Sequence, residues 1–474
     1  MDDSVTRFQE YRKRLHGLLK YRADATFNLL DSLSGRQSAQ SVVELSLEAP
    51  FERRHSSLYD AIDNFAPGAS SSERLTKGLE RVRILAPMLP TPKRRPFWVI
   101  GVDATPAPRA FSRTLADRSI VYSPNPALGN KPIVVGHSYS VTALLLERES
   151  ESSPFVAPLT CTRIPTDRTA KEIAAEQVGK LLSDKKLPFH GELTVHVADS
   201  GYGNARYLSP MGVYENGVAV VRIISTRKLH RDISGTVEHV GAGRPKCFGE
   251  VFRLNDESTW WEPDEEVCFE IVTKKGKRLW VKLRRWNDLL MRGKKDAPMY
   301  NRPFDLICCQ VLNEDGTLAF KNALWLTISG KRRREISSRD AYEAYRQRYD
   351  IEHFFRFGKN KLLLDDSQTC ELEHEESWWE LACLAYTQLW LAAPLAKKIP
   401  RPWEKNKQQF KDATIPGPAH VQRDFARIIR VFGTPAVSPK PRGNSLGRKK
   451  GYSPGRRVPR NVIYKGGSPP KKVA

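Results

Sequence analysis

Cysteine is scarce in this chain: seven among 474 residues, an odd number, with Cys308 and Cys309 adjacent. No C-x-x-C pair or Cys/His cluster has zinc-like spacing, which excludes a zinc finger and a disulfide framework. The thiols read as buried side chains in a reducing compartment. Long apolar runs are also missing. No stretch reaches the ~18 uninterrupted apolar residues of a membrane-spanning helix. The start, MDDSVTRFQEYRKRL, is charged from its second residue and has no apolar leader segment, so a cytosolic protein is expected. Acidic residues are the third deficit, 54 against 77 Lys and Arg, for a net charge of +23. Such a surplus attracts polyanions, and nucleic acid is the commonest of these. With 40% hydrophobic residues and ten tryptophans, wholesale disorder is excluded.

The length suits two to four domains, and no internal repeat is visible. Residues 1–92 read as helical. Phe8, Tyr11, Leu15, Leu18 and Leu19 fall at helical spacing, and Arg12, Arg14, Lys20 and Arg22 among them offer a basic face, either merely solvated or in contact with DNA. A second helix is expected around SSSERLTKGLERVRILAPML behind a serine cap. From Lys93 the pattern turns to strands, at 97–106, 132–146, 155–165, 193–203 and 217–226, with a helix over 168–182. That alternation describes a mixed α/β sheet. Residues 227–335 read as short antiparallel strands rich in Trp and Arg. A helix follows from about 338 to 357, broken at Gly358, and another runs over 374–398. Residues 401–434 form a C-terminal extension. The last segment, 435–474, has eleven Lys and Arg, no acid, seven Pro and six Gly, the composition of a flexible tail that adds affinity for phosphates or simply solubility.

Asp103 closes the apolar run Val99-Ile100-Gly101-Val102-Asp103, and Asp199 closes Val195-His196-Val197-Ala198-Asp199 ahead of Ser200-Gly201-Tyr202-Gly203. Apolar strands ending in acids point into a cleft, and glycines there let the backbone turn away and leave room. Each alone reads equally as a turn residue. The third signal is AYEAYRQRYDIEHFFRFGKNKL. Tyr345, Arg348, Glu352 and Lys359 stand at offsets of three, four and seven, which return to one face of a helix. An amphipathic helix with a solvated charged side has the same spacing. Asp350 would face elsewhere, and His137 on a strand reads as a hydrogen-bonded core residue.

The spacing Y-x2-R-x3-E-x6-K resembles that of the bacterial DDE transposases related to the Tn-five element and insertion-sequence type four. Asp103 in GVDAT and Asp199 in ADSGYGN resemble the first and second aspartate motifs of that family, over about residues 95–365. The resemblance implies an α/β, RNase H-like catalytic core, here 93–226 and 336–400, interrupted by a β-rich insertion at 227–335. It implies that Asp103, Asp199 and Glu352 are catalytic and hold two Mg2+ or Mn2+ ions. Tyr345, Arg348 and Lys359 would hold DNA phosphates. Trp325 resembles an aromatic at the matching place in relatives, Trp260 and Trp261 are further stacking candidates, a packed core role is an equal reading for each of the three, and Arg222, Arg227 and Lys228 are candidate DNA contacts. Double-stranded DNA, as terminal repeats and target, would be the partner, bound by a homodimer in a bacterial cytoplasm. A nuclease without strand transfer and a non-catalytic DNA-binding derivative are the competing expectations.

Overall fold

The apolar runs between 97 and 226 become strands buried on both faces, as their near-continuous hydrophobicity requires. In the computed structural model, residues 3–123, 132–147, 155–234, 246–273, 275–405, 415–441, 443, 447, 449–453 and 455–465 are described. β1 (Trp98–Pro108), β2 (Ser119–Tyr122), β3 (Ile133–Leu145), β4 (Val156–Arg163), β5 (Thr194–Ala198) and β6 (Gly217–Arg222) precede the insertion. β3 lies antiparallel to both β1 and β4, while β5 runs parallel to β1 and to β6. The resulting order, β4-β3-β1-β5-β6, is consistent with an RNase H-like core.

Alternate residues of β3 serve the two faces of the sheet. Ser140 bonds Gln177 of α5 (Ala170–Ser183), whose start carries the reciprocal Thr169/Glu172 capping box. His137 and Tyr139 turn the other way, onto α9 (Leu372–Lys398). The insertion comprises β7 (Lys228–Asp232), β8 (Phe248–Arg253), β9 (Glu265–Val272), β10 (Arg278–Leu290), β11 (Phe304–Leu312) and β12 (Leu324–Ser329). It is not a detached module. β12 pairs antiparallel with β6, so core and insertion form one twelve-stranded sheet. From there the chain enters α7 (Ser338–Gln347) and α8 (Tyr349–Lys361). The insertion also holds the start of α7. Arg285 Nη1 donates to Ile336 O at 2.9 Å, and Ser338 Oγ donates to Glu265 Oε2 at 2.5 Å.

α1 (Asp3–Leu18), α2 (Ala23–Ser34), α3 (His55–Asp63) and α4 (Ser71–Leu85) precede the sheet, as the sequence pattern suggests. Their basic residues are only partly a surface. Arg12 is fully buried in a bidentate pair with Asp31 at 2.6 and 2.8 Å, so it belongs to the interior and not to an exposed basic face. α1, α2 and α3 pack on α9, as does α10 (Pro418–Phe432). α9 is buried nearly all round yet carries three acids inward. Glu375 takes Arg109 Nε at 2.9 Å, His137 Nδ1 at 3.0 Å and the Tyr139 hydroxyl at 3.0 Å. Glu376 pairs with Arg74 and Arg163, each at 2.8 Å, and Glu380 pairs with Arg74 and Arg81. Burial pushes the Glu375 carboxyl up, but the His137 hydrogen bond and the Arg109 charge outweigh it and hold it below its ordinary value.

Two expectations fail here. The C-terminal segment is not a structureless tail throughout. The Arg460 amide donates to Arg113 O at 2.9 Å and the Ile463 amide to Arg118 O at 2.8 Å, and Ile463 bridges Ser119 at the start of β2. Main-chain pairing to an open strand edge needs no apolar core, which is why composition did not reveal it. The cysteines are not uniformly buried either. Cys247, Cys308, Cys309 and Cys383 are, but Cys268 is exposed, and all seven are free thiols. No helix among the described residues is long and apolar enough to cross a membrane.

Replacing Glu375 by alanine leaves Arg109 buried without its counter-charge. We expect a loss of about 3–5 kcal/mol in unfolding free energy, read by urea denaturation. A cost below about 1 kcal/mol, the range of a surface pair, would show that this network does not hold α9.

Candidate active site

β1 and β5 pair only from Trp98↔Thr194 to Gly101↔Val197. Beyond that register the two parallel strands part, and their carboxylates stand at the opening. The first strand, read from the sequence as 97–106, runs from Trp98 to Pro108 and is paired to β3 on its other side. Asp103 therefore sits within the strand, where the β5-facing edge first becomes free. Asp199 follows the last residue of β5 and accepts the Gly201 amide at 2.8 Å. Asn204 then caps α6 (Ala205–Met211) and ties back to Gly201 O at 2.8 Å. Gly203 is required by contact: a Cβ there would run into the carbonyl of Arg222.

Glu352 arrives from α8. The helix does not break at Gly358; it runs on to Lys361, so Lys359 is helical. The irregularity lies earlier, at Arg348 between α7 and α8. There the Arg348 amide bonds Tyr345 O and the Ile351 amide bonds Arg348 O, both tight i to i−3 bonds. Arg348 spans the two acids. Its Nη2 donates to Glu352 Oε1 at 2.6 Å and its Nη1 to Asp103 Oδ2 at 3.2 Å. The fork thus joins β1 to α8 across the cleft.

Burial pushes the Asp103 carboxyl up to about 6. The Arg348 charge and the Ala104 amide pull it down, and the charges of Asp199 and Glu352 add to the rise. The three acids therefore share one electrostatic neighbourhood. Tyr345, nearly buried, feels Arg348, Arg222 and Asp199 after its own desolvation, which places Arg222 and Asp199 beside it. Lys359 donates to Pro106 O at 2.7 Å and faces Asp365 at 3.5 Å, and its burial lowers its pKa. It is engaged with β1 and its own helix end. Asp350 is buried and acts on Tyr386 of α9, away from the cleft.

Other candidates divide. Arg222 and Lys228 are exposed. Arg227 Nη2 donates to Gly203 O at 3.1 Å and so braces the loop after Asp199. Trp325 does not face the cleft. It is 3% exposed and packs with Phe252, Trp260 and Trp286 at centroid distances of 5.2–6.2 Å. Trp260 and Trp261 are half-buried in that same cluster, under Arg284 and Arg231 respectively. These aromatics meet because β8, β10 and β12 converge, which no local spacing reveals. Sequence reasoning also passed over Tyr202. Its hydroxyl is buried, forms no hydrogen bond, and feels the charges of Asp103 and Asp199. The ADSGYGN string was the available signal.

Three carboxylates against one guanidinium leave an excess of negative charge built from hard oxygen donors, the donor set that suits Mg2+-like ions. Their oxygens do not all lie within 4.8 Å of one another; among the described residues that holds only for Glu404, His420 and Asp424, whose acids Arg401, Arg423 and Arg427 already neutralise. What the cleft acids share is Asp103, which feels the charges of both Asp199 and Glu352.

Against known families, residues 14–288 match the one described as DDE superfamily endonuclease. The match includes Asp103 and Asp199 and ends before Glu352. No curated protein matches the chain.

Because the folded Asp103 carboxyl binds its proton more tightly than its ordinary value of 3.8, the folded state holds more protons than the unfolded one between those values. Stability contributed by Asp103 must therefore rise as pH falls from 7 through about 6 towards 3.8. In urea titrations the parent chain should gain relative to Asp103→Asn over that window; a constant difference would refute the burial effect. Trp325→Ala should cost roughly 3–5 kcal/mol in stability. Weakened DNA binding at unchanged stability would instead return Trp325 to the interface.

Proposed function

The chain belongs to the DDE superfamily endonucleases, and we propose that it is a transposase of the branch related to the Tn-five element and insertion-sequence type four. DDE nucleases use divalent metals and act on DNA. In the proposed reaction water cuts the element end, and the freed 3′-hydroxyl attacks the target DNA in a cut-and-paste sequence carried out by a dimer on paired ends. The observation that carries this reading is the Arg348 bridge, which ties Glu352 to Asp103 although Arg348 and Asp103 stand 245 residues apart in sequence.

Asp103, Asp199 and Glu352 would hold two Mg2+ or Mn2+ ions. Such ions activate the attacking oxygen and stabilise the leaving one. The remaining work falls to the chain's own side chains. Arg348 offers two parallel N–H donors in a geometry that matches phosphate oxygens as well as carboxylates. Its neighbours Tyr345 and Arg222 extend the donor surface along the same cleft wall, and Lys359 brings a further cation at the far end of α8. The buried Tyr202 hydroxyl, which feels the charges of both aspartates and makes no hydrogen bond of its own, would add a further donor. A phosphodiester entering this cleft exchanges its hydration shell for fixed donors, and the acids position it without being consumed.

Asp199→Asn should bind DNA carrying the element ends as the parent does, and should not cut it in Mg2+. Cleavage by the pure variant would end this assignment. With the parent chain, cutting followed by joining to a target plasmid supports transposition, whereas cutting alone supports a simple nuclease. Binding indifferent to Mg2+ without any cutting would support a DNA-binding derivative.

A further inference from the structure

The helices that carry Arg348 and Glu352 have a second working face. Positions 346, 349, 353, 356 and 360, spaced three and four apart, turn about a quarter-circle from the acid-facing set and line a groove of about 1230 Å3. Arg94 and Arg95, just before β1, and the start of α10 form its other walls.

The charges in this groove are unevenly committed. Glu147 accepts the backbone amides of Lys93, Arg94 and Arg95 at 2.8–3.2 Å. Glu343 pairs with Arg339 at 2.8 Å, and Asp340 takes the Ser337 hydroxyl at 2.6 Å. All three acids are thus spoken for. The cations are not: Arg94, Arg346, Arg356 and Lys361 are exposed and make no ion pair among the described residues. Between them stands Tyr349, 47% exposed, its ring edge-on to His353 at 5.0 Å. Free cations around an open aromatic ring are the elements of a single-strand nucleic-acid site, the phosphates on the guanidinium groups and a base on the ring. A duplex hides its base faces and would leave Tyr349 unused.

A second, smaller cavity of about 280 Å3 shares lining residues with both the groove and the cleft, Tyr345 and Arg348 on the cleft side and Arg346 and Tyr349 on the groove side. We propose that this groove binds a single strand of nucleic acid, held by Arg94, Arg346 and Arg356 and stacked on Tyr349, as it leaves the cleft between Asp103 and Glu352. Only the identity of the strand, one continuous with the cleavage site, rests on the nuclease reading; the binding itself does not.

The test uses the full chain carrying Asp199→Asn in EDTA, so that no cutting enters. A labelled oligonucleotide of about 16 nucleotides and a duplex of the same sequence are titrated over a salt series. The combined variant Arg94→Gln, Arg346→Gln, Arg356→Gln should flatten the single-strand log–log salt slope by about 2. Tyr349→Ala should weaken the single strand about tenfold and leave the duplex unchanged. All these side chains are exposed, and equal melting midpoints establish that the variants fold. Unchanged slope and affinity would overturn the proposal. So would equal losses on both probes with Tyr349→Ala silent, since the groove would then be a duplex phosphate site. A chain that shows the expected losses yet never cuts DNA keeps this inference and ends the nuclease reading.

Discussion

Three carboxylates cannot be brought together in a low-dielectric cleft unless something positive holds them, because each raises the cost of ionising the others. Here that role falls to the Arg348 fork. Its position depends on the tight turn between α7 and α8, which offsets the guanidinium enough to reach β1 on one side and Glu352 on the other. Asp103 shows the balance: its burial is strong enough to push it up to about 6 even with Arg348 alongside. The cleft holds its charges under tension, and the surrounding packing must be stiff enough to keep them there.

That stiffness comes from behind. α9 runs through the interior and is tied by Glu375 to β3 and Arg109, by Glu376 to α4 and β4, and by Glu380 to α4. Arg109 follows directly on β1, and its Nη1 reaches Asp365 O at 2.7 Å just past the end of α8. The strand that carries Asp103 and the helix that carries Glu352 therefore share an anchor on α9. Stacking of Tyr139 on Trp379, 4.0 Å between centroids, closes the contact from the apolar side.

Much of this was legible in the amino-acid order. Apolar runs ending in Asp103 and Asp199 gave the strands, and the Y-R-E-K spacing gave one face of a helix, because both periodicities are local properties of the backbone. The helix continuing through Gly358 was not, since a glycine inside a helix has the same local signature as one that ends it. For Trp325 the choice between core and cleft stayed open for a deeper reason. Whether a tryptophan faces a cleft or a core depends on which strands cross behind it, and Phe252 and Trp286 lie far away in sequence. The inward-facing Arg12 and Glu375 were equally hidden, because a charged residue on a helical wheel is normally assigned to solvent.

The pairing of β12 with β6 carries a consequence for how such chains can diverge. Both ends of the insertion are pinned beside the strands that lead to Asp103 and Asp199, β6 at the exit and β12 at the return, and a short connection leads from Ser329 to α7, which Arg348 follows. Loops between β7 and β11 can change length only away from Asp296 and Pro298, which reach α6, and from Trp260, which packs on Trp325. A slip of one residue between Leu326 and Arg222, by contrast, would invert every side chain of β12 and draw the following helix out of line. Evolutionary freedom in this region is therefore confined to length and composition away from that seam, which makes the insertion a place where new specificity can be grafted onto an unchanged catalytic frame.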